Sequence, residues 1–213
     1  MSTGHGLGHS WDSGFQQTMA APGLKHRIHL TILFSERQEL TVILLKSDRP
    51  ILLIWGKIEN INDISKYEFY GGKDARGNSI WTKNFKEIKP LLEWNNNMGC
   101  VTVTYNAPLK RYLMCVTDGG NTVSKMNTYI LEADRLDGNW KIITYMKEFG
   151  EQGYFVNIPS KFISDDGKQM WLLYSGNFAP DWNGQKIVEN PPGSHYGMVF
   201  QKVHLVKQNS GHK

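Results

Sequence analysis

The chain has 213 residues, of which 40% are hydrophobic and 21% are charged, and its formal net charge at pH 7 is +4. These proportions are typical of a globular protein, and the scattered lysines and arginines argue against a nucleic-acid partner. Frequent glycines and aromatic residues, without long stretches of Ala, Glu, Lys and Leu, favour many short strands joined by tight turns.

Residues 1–24 are rich in Gly, Ser, His and Gln and show little periodicity, so we expect a flexible leader there. No basic start followed by an apolar core and a small-residue cleavage site is visible, which predicts a cytosolic protein by default. The histidines of this region are irregularly spaced and lack carboxylate companions, so no metal site is expected. The sequence also contains no phosphate-binding glycine loop, and no cofactor is expected.

Strand patterns follow the leader in the stretches HRIHLTILF, ELTVILL, PILLIWGKI, KYEFYGG and SIWTKNF. The most apolar segment, Leu40 to Trp55, is interrupted by charged residues and by Pro50. It therefore lacks the roughly 20 continuous apolar residues that a membrane-spanning helix needs. We interpret it as two strands around a turn, and we expect no membrane partner.

The clearest unit covers residues 100–146. The strand patterns CVTVTYN, KRYLMCVT, MNTYILEA and NWKIITYM are separated by turns and predict one four-stranded antiparallel sheet in up-and-down order. A second unit of similar layout follows, with strands predicted at Pro159 to Ser164, Lys168 to Gly176 and His195 to Val206. Such units in succession, behind a half unit, are typical of a β-propeller.

The connections between these strands fall into two classes by length. The tight ones are at 106–109, 134–138 and 165–168, and the long ones are at 86–99, 118–125, 147–158 and 177–194. In an up-and-down blade arrangement, all the long connections lie on the same face. Loops positioned by a rigid scaffold carry most binding sites, so we expect the site on that face.

Cys100 and Cys115 are the chain's two cysteines, which are too few for a zinc cluster. If the first hairpin turns between Ala107 and Pro108, the two cysteines lie directly opposite each other on neighbouring strands. A cross-strand disulfide is then allowed, although two buried thiols are the favoured state in a reducing compartment.

Four stretches resemble the five-bladed β-propellers related to glycoside hydrolase family 43. They are KYEFYGGKDARGNSIWT, VTYNAPLKRYLM, YILEADRLDGNW and YFVNIPSKFISDDGKQMWLLYSGNF. The resemblance runs from about Ile51 to Val206. It implies an all-β fold of antiparallel four-stranded blades, forming part of a propeller in a single domain over residues 25–213, and a carbohydrate ligand.

The stretch YILEADRLDGNW is similar to the blade edge of many such enzymes. Its residues nevertheless favour a structural role over a catalytic one. We expect Glu132, Asp134 and Asp137 at the tight-turn face, away from the site, and Trp140 in the core.

The hydrolases of this family use a carboxylate base, a second carboxylate that tunes it, and a glutamic acid that protonates the leaving oxygen. Inverting cleavage needs two carboxyl groups roughly 6.5 to 9.5 Å apart. The family's base normally comes from the first blade, and this chain has no recognisable first or second blade. The resemblance therefore implies either a carbohydrate-binding or glycoside hydrolase-like propeller, or a non-catalytic propeller fragment with a structural or protein-interaction role.

An open stack of blades leaves a strand edge free to pair, so the sequence allows self-association through an open sheet edge. Three explanations of the missing blades are open. The N-terminal strands complete a smaller or irregular stack, two chains associate, or the chain is the truncated product of a longer gene. Truncation is the favoured explanation.

The segment EFGEQGYFVNIPS stands just before a predicted inner strand, where a propeller presents side chains to its central funnel. Glu151 is therefore the candidate acid, and Tyr154 is a candidate for stacking on a sugar ring. Asn157 and Ser160 are candidates for hydrogen bonds to sugar hydroxyls. The alternatives are a solvated charge for Glu151, a packing role for Tyr154, and caps of the strand start for the two polar residues.

The loop SGNFAPDWNGQKIVENPPGSHYG adds Trp182 as a candidate sugar platform and His195 as a neighbouring polar group. A long loop also needs an aromatic residue to pin it down, which is the alternative role of Trp182. Asp118 ends a strand before Gly119 and Gly120 and is a candidate catalytic carboxylate on the rim. A turn-forming role is the alternative for Asp118.

Overall fold

A computed structural model of the chain describes residues 15–19, 28–34, 39–46, 51–60, 62–94, 98–118, 126–150, 153–177 and 196–206. Within these ranges the chain forms thirteen β-strands and four short 3-10 helices, and none of the described residues lies in an α-helix. An apolar helix long enough to cross a membrane is likewise not found among them.

The strands are β1 (Phe15–Met19), β2 (Ile28–Phe34), β3 (Glu39–Lys46), β4 (Leu52–Lys57), β5 (Glu68–Lys73), β6 (Ser79–Thr82), β7 (Cys100–Asn106), β8 (Arg111–Thr117), β9 (Thr128–Ala133), β10 (Lys141–Met146), β11 (Tyr154–Asn157), β12 (Gln169–Asn177) and β13 (Tyr196–His204). The 3-10 helices are η1 (Ile58–Asn60), η2 (Ile64–Lys66), η3 (Phe85–Glu87) and η4 (Ser160–Phe162).

The strands form three antiparallel sheets. The first sheet contains β1 to β6 in chain order, the central sheet contains β7 to β10, and the third sheet contains β11 to β13. Within the described ranges, no sheet closes on itself. The predicted all-β antiparallel fold is confirmed, as is the four-stranded sheet over residues 100–146. The segment Leu40 to Trp55 forms two paired strands, as predicted.

The structure differs from the sequence-based expectation at two segments. Residues Pro159 to Ser164 are not a strand, because β11 ends at Asn157 and η4 follows. Pro159, at φ −66°, has no backbone N–H to donate into a strand ladder, which explains why the predicted strand is wrong. The expected leader contains β1, which pairs with β2, and the domain boundary at residue 25 stays a prediction.

The register of the β7–β8 hairpin differs from the one that would oppose the two cysteines. The turn spans four residues, Ala107 to Lys110. Cys100 therefore faces Thr117 and Cys115 faces Thr102, so the two cysteines are diagonal neighbours on one face. Both are buried free thiols. The directly opposed pair is wrong because the actual turn moves every cross-strand partner by two positions.

The central sheet is covered on both faces. Its first face packs against the first sheet through the buried side chains of Ile51, Leu53, Tyr70, Val101, Val103, Met114, Val116 and Leu131. Its second face packs against the third sheet through those of Leu113, Cys115, Ile130, Val156, Ile158, Met170, Leu172 and Tyr174. Successive side chains of a strand point to opposite faces, so β8 and β9 supply apolar residues to both cores, whereas β7 supplies Val101 and Val103 to the first-face core only.

Two threonines of β7 connect the second face to the third sheet. The Thr102 hydroxyl donates to the carbonyl oxygen of Val156 at 2.7 Å, and the Thr104 hydroxyl donates to that of Ile158. We call this pair the hydroxyl ladder. From Thr102 to Thr104 the donors advance two residues along β7, and from Val156 to Ile158 their acceptors also advance two residues. β7 and β11 therefore run side by side in the same direction.

The last residue of β7 holds the tight turn of the third sheet. Asn106 is fully buried, and its Nδ2 donates to the carbonyl oxygen of Gly167 at 2.8 Å. Gly167 has a φ of +72°, and a Cβ atom there would lie 2.6 Å from Asn106 Oδ1. Glycine is therefore required both for the backbone conformation and for the close approach. This contact fixes the central and third sheets together at their tight-turn end.

Candidate functional site

The long connections leave the central and third sheets at one end, which we call the long-loop end. In the central sheet Thr117 faces both Cys100 and Thr128, and Thr128 also faces Met146, so the residues flanking the long connections share one end. In the third sheet β12 ends beside the start of β11, where β13 begins. Because β7 and β11 run in the same direction, the two ends coincide.

Asp118, the predicted rim carboxylate, closes the connection between β8 and β9. Its Oδ1 accepts from the backbone N–H of Asn127 at 3.0 Å, and its Oδ2 accepts from the Asn127 side-chain amide at 2.6 Å. The Asp118 N–H donates in turn to the carbonyl oxygen of Asn127 at 3.0 Å. These are the contacts that the turn-forming alternative requires, and they fix the half-buried carboxylate in place. Its catalytic role stays a prediction.

Asn127 extends this contact to the connection between β10 and β11. Its Oδ1 accepts from the backbone N–H of Glu148 at 3.0 Å and lies 3.4 Å from the Tyr145 hydroxyl. Beside it, the Phe149 N–H donates to the carbonyl oxygen of Met126 at 2.9 Å. One amide side chain therefore holds the ends of two long connections together.

Beside Asp118 and Asn127, on the first face, lie three aromatic side chains that we call the aromatic shelf: Tyr129, Tyr145 and Trp94. The Tyr145 ring stacks on that of Tyr129, with the centroids 4.8 Å apart and the planes at 17°. The Trp94 ring also packs on Tyr129, at a centroid distance of 4.5 Å. Burial, followed by the neighbouring Tyr145 and Asp118, raises the pKa of Tyr129. Tyr145 is 52% exposed although Tyr129 covers one of its ring faces, so its open surface lies on the other face and the rim.

A β-bulge in β10 builds the shelf. Ile142 faces Leu131, but beyond a register shift Tyr145 faces Tyr129. Without the extra residue Tyr145 would point to the second face, whereas the bulge turns its ring to the first face beside Tyr129. The sequence analysis missed the shelf because it read β10 as a regular strand. The signal that could have found it is the adjacent pair Ile142 and Ile143, which breaks the alternation of apolar and polar residues.

The predicted sugar-binding residues around β11 are divided between two places. Tyr154 is half-buried at the start of β11, and its hydroxyl lies within hydrogen-bonding reach of the Cys100 thiol on the second face. Asn157, also half-buried, ends β11, and Ser160 begins η4 toward the tight-turn end. Tyr154 therefore shares the long-loop end with the shelf, on the opposite face of the central sheet, while Ser160 lies away from both. Their roles in binding stay predictions.

Phe155, between Tyr154 and Asn157, has a backbone conformation that is unusual for a bulky residue. Its φ is +59°, and the register between β11 and β12 shifts at the same point. Such outliers are costly and concentrate at functional sites. The adjacent rings of Phe149 and Tyr174 lie 4.8 Å apart, so the strained segment is next to packed aromatic side chains. Nothing in the sequence marked this position.

Three predicted site residues, Glu151, Trp182 and His195, lie outside the described residues. The predictions for them therefore stand as made. Among the residues that the structure describes, no group of three or more His, Cys, Asp or Glu side chains could hold a metal ion.

The two thiols on the second face are poor nucleophiles in the folded chain. Burial raises the pKa of Cys100 to about 11 and that of Cys115 to about 12. A hydrogen bond from Tyr154 opposes the shift of Cys100 with a smaller effect. Because the thiolate is the reactive form, neither cysteine is suited to nucleophilic catalysis near neutral pH.

Asp137, in the stretch YILEADRLDGNW, makes structural contacts at the tight-turn end. The Arg135 guanidinium donates to its carboxylate twice, at 2.9 and 2.8 Å. These hydrogen bonds lower the pKa of Asp137, burial opposes them, and the Ser79 hydroxyl of β6 adds to the lowering. Trp140 Nε1 donates to the carbonyl oxygen of Leu136 at 3.1 Å, and its ring packs against the first-face core. The stretch thus joins the central sheet to the first sheet.

A scan of the chain against models of protein families finds no match, and a search of the curated proteins finds none either. The resemblance to propellers related to glycoside hydrolase family 43 therefore stays a prediction. Function has to be inferred from the geometry of the long-loop end.

Proposed function

We propose that the chain binds carbohydrate at the long-loop end and that its sheets are successive blades of a propeller-like stack. Two features support the stack. The inner strands β7 and β11 run side by side in the same direction, as the inner strands of neighbouring blades do. The long connections of the central and third sheets also share one end, which is where propellers carry their binding sites.

The observation that carries the carbohydrate proposal is the aromatic shelf beside Asp118 and Asn127. The open ring face of Tyr145 offers an apolar platform on which the C–H face of a sugar ring can stack. The Asp118 carboxylate accepts one hydrogen bond from Asn127 on each oxygen, which leaves further lone pairs for sugar hydroxyls. An apolar platform with a few fixed polar groups is the usual composition of a small-molecule site.

The geometry supports binding better than hydrolysis. Hydrolysis by the family's mechanism needs two carboxyl groups that flank one glycosidic bond. Asp118 is the carboxylate that hydrogen bonds connect to the shelf, and Glu151, the candidate acid, lies outside the described residues. Cleavage by these two residues would add hydrolysis to the proposal, and release of reducing sugar from an oligosaccharide would demonstrate it.

Substitution of Tyr145 tests the shelf. A panel of soluble plant and microbial oligosaccharides is screened by thermal unfolding, and the dissociation constant of the best ligand is measured by calorimetry. We expect Tyr145→Ala to weaken binding about tenfold, because it removes the stacking surface. Tyr105→Ala is the matched control. Tyr105 also pairs with a tyrosine, Tyr112, at a centroid distance of 4.7 Å, but it lies at the tight-turn end.

Two results would contradict the carbohydrate proposal. The first is that no oligosaccharide in the panel raises the melting temperature. The second is equal weakening by Tyr145→Ala and Tyr105→Ala, because equal effects would come from general destabilisation and not from the shelf. Both variants are compared at temperatures where each is fully folded.

A non-catalytic interaction role is the second candidate function. The third sheet favours it, because Met198 and Phe200 of β13 are 72% and 50% exposed. Self-association through an open sheet edge, which the sequence allows, is a proposal as well, and β13 is the strand that carries it.

A further inference from the structure

The outer edge of the third sheet differs from the other outer edges in the described part of the chain. The end strands β1, β6 and β10 have five, four and six residues. The pairs β5–β6 and β9–β10 also contain register shifts, and bulges of this kind protect edges against pairing with other chains. β13 has nine residues.

β13 is also regular along its whole length. Its register with β12 runs without a shift from His204 opposite Gln169 to Tyr196 opposite Asn177. The strand contains no proline, and Lys202 is its one lysine. A long, regular strand at the end of a sheet is a template for another strand, because half of its backbone hydrogen-bonding groups point away from the sheet.

In the central sheet, the outer side of the third strand is occupied by a fourth strand. There the third strand, β9, is covered on its outer side by β10. In the third sheet the described residues supply no fourth strand beside β13. Met198 and Phe200 are exposed on the outer face of the third sheet, whereas Val199 and Val203 of the same strand pack against the second-face core.

We infer that β13 pairs with β13 of a second copy of this chain, antiparallel, to join two three-stranded sheets into one of six strands. A two-fold contact requires a self-complementary strand. With the two-fold axis at Phe200, that residue faces its own counterpart, Met198 faces Lys202, and Val199 faces Gln201. No two like charges then face each other, and the Lys202 stem can lie along Met198.

The apolar side chain at the axis favours a second copy over an unrelated surface. Both partners present the same apolar side chain at the axis, and an aromatic pair across two strands is a stabilising cross-strand contact. The inference is independent of carbohydrate binding, because β13 contributes no residue to the aromatic shelf.

The association state is measured by sedimentation velocity over a range of concentrations. The full chain is expected to form a dimer whose population rises with concentration. Phe200→Lys places like charges opposite each other and should weaken dimerisation about tenfold or more. Ile142→Lys is the matched control, since Ile142 is 54% exposed on the bulged edge strand β10, and it should leave the dimer unchanged.

Two further variants separate edge pairing from other contacts. Phe200→Glu alone should weaken dimerisation to a similar extent, and an equimolar mixture of Phe200→Glu and Phe200→Lys chains should restore the dimer, because opposite charges then meet at the axis. Trp171, 37% exposed on β12, lies on the same face as Phe200 but away from the edge. Trp171→Lys should therefore leave the dimer intact, and thermal unfolding confirms that each variant is folded.

The inference is overturned by a chain that stays monomeric at all concentrations. It is also overturned if the mixture of oppositely charged variants stays monomeric. Loss of the dimer in Trp171→Lys equal to that in Phe200→Lys would replace edge pairing with face-to-face docking.

Discussion

The two faces of the central sheet are covered by different means. On the first face the sheets meet through apolar side chains alone at the centre, with Met114 and Val116 fully buried. On the second face the apolar contacts are joined by the hydroxyl ladder of Thr102 and Thr104. A hydroxyl reaches a carbonyl oxygen only at hydrogen-bonding distance, so the backbone of β11 lies closer to β7 than an all-apolar interface would require.

β11 is irregular at the point where the polar side chains of the second face reach it. Its register with β12 shifts between Tyr154 and Asn157, and Val156 lies within the shifted part. A buried carbonyl oxygen that loses its ladder partner must find another donor. The Thr102 hydroxyl provides one for Val156. The comparison teaches that an irregular strand is held by side chains of the neighbouring sheet as well as by pairing within its own sheet.

The largest expected effect is on the first face. Met114→Ala removes a fully buried side chain and leaves a cavity, and we expect it to lower the free energy of unfolding by about 2 to 5 kcal/mol. Urea denaturation measures the change. Ile64→Ala is the control, because Ile64 is 66% exposed and its truncation should change stability by less than about 0.5 kcal/mol. Equal effects of the two variants would mean that the first-face core is not packed as described.

A smaller effect is expected at the end of the first face, where Asp137 joins the central sheet to the first sheet. Asp137→Asn keeps the shape of the side chain but removes the charge that accepts from Arg135. We expect a loss of about 1 to 2 kcal/mol at pH 7, reduced because Arg135 is 71% exposed. Thermal or urea unfolding at several pH values measures it.

The pH dependence of this difference has a defined sign. The pKa of Asp137 in the folded chain is lowered below its ordinary value of 3.8, chiefly by the hydrogen bonds from Arg135. The stabilisation is therefore fully present above pH 3.8 and is lost as the pH falls through the lowered value. The two chains should converge in stability under acid. A difference that persists unchanged after the Asp137 carboxyl group is protonated would assign the effect to packing and not to charge.

Much of this fold is predictable from the sequence, because alternation and turn residues are local signals. The four-stranded sheet over residues 100–146 and the strands β12 and β13 follow from such patterns. The predicted strand at Pro159 to Ser164 was wrong because similarity of layout to the first unit was given more weight than the missing N–H of proline. The opposed cysteines were wrong because register depends on the length of one turn.

The site was less predictable, because it depends on contacts between distant residues. The threonines in CVTVTYN indicate a strand with two faces, but their acceptors lie 54 residues further along the chain. The aromatic shelf depends on a bulge that turns Tyr145 to the face of Tyr129. Asp118 was identified from the sequence as a rim carboxylate, whereas its partner Asn127 was not. A local pattern gives the residue type at the rim but not its hydrogen-bond partner.

The smallest expected changes in stability concern the buried threonines of the second face, some of which have a hydrogen-bond partner for the hydroxyl and some of which do not. Thr117 and Thr128 face each other on this face, both are fully buried, and their hydroxyls find no hydrogen-bond partner among the described residues. Thr104→Val deletes the donor to the Ile158 carbonyl oxygen and should cost about 1 kcal/mol. Thr117→Val removes a buried hydroxyl without a protein partner and should be neutral or stabilising by up to about 1 kcal/mol.

Thr104→Val and Thr117→Val both replace a hydroxyl by a methyl group on the same face. Comparing their free energies of unfolding in urea therefore separates the contribution of the hydrogen bond from that of the added methyl group. Opposite signs would show that the hydroxyl ladder stabilises the contact between the central and third sheets. Equal costs would mean that a bound water satisfies Thr117 and Thr128, since removing its hydrogen bonds is as costly as removing the one from Thr104. In that case the long-loop end of the second face is hydrated, and the contrast between the two faces becomes one between a dry interface and a wet one.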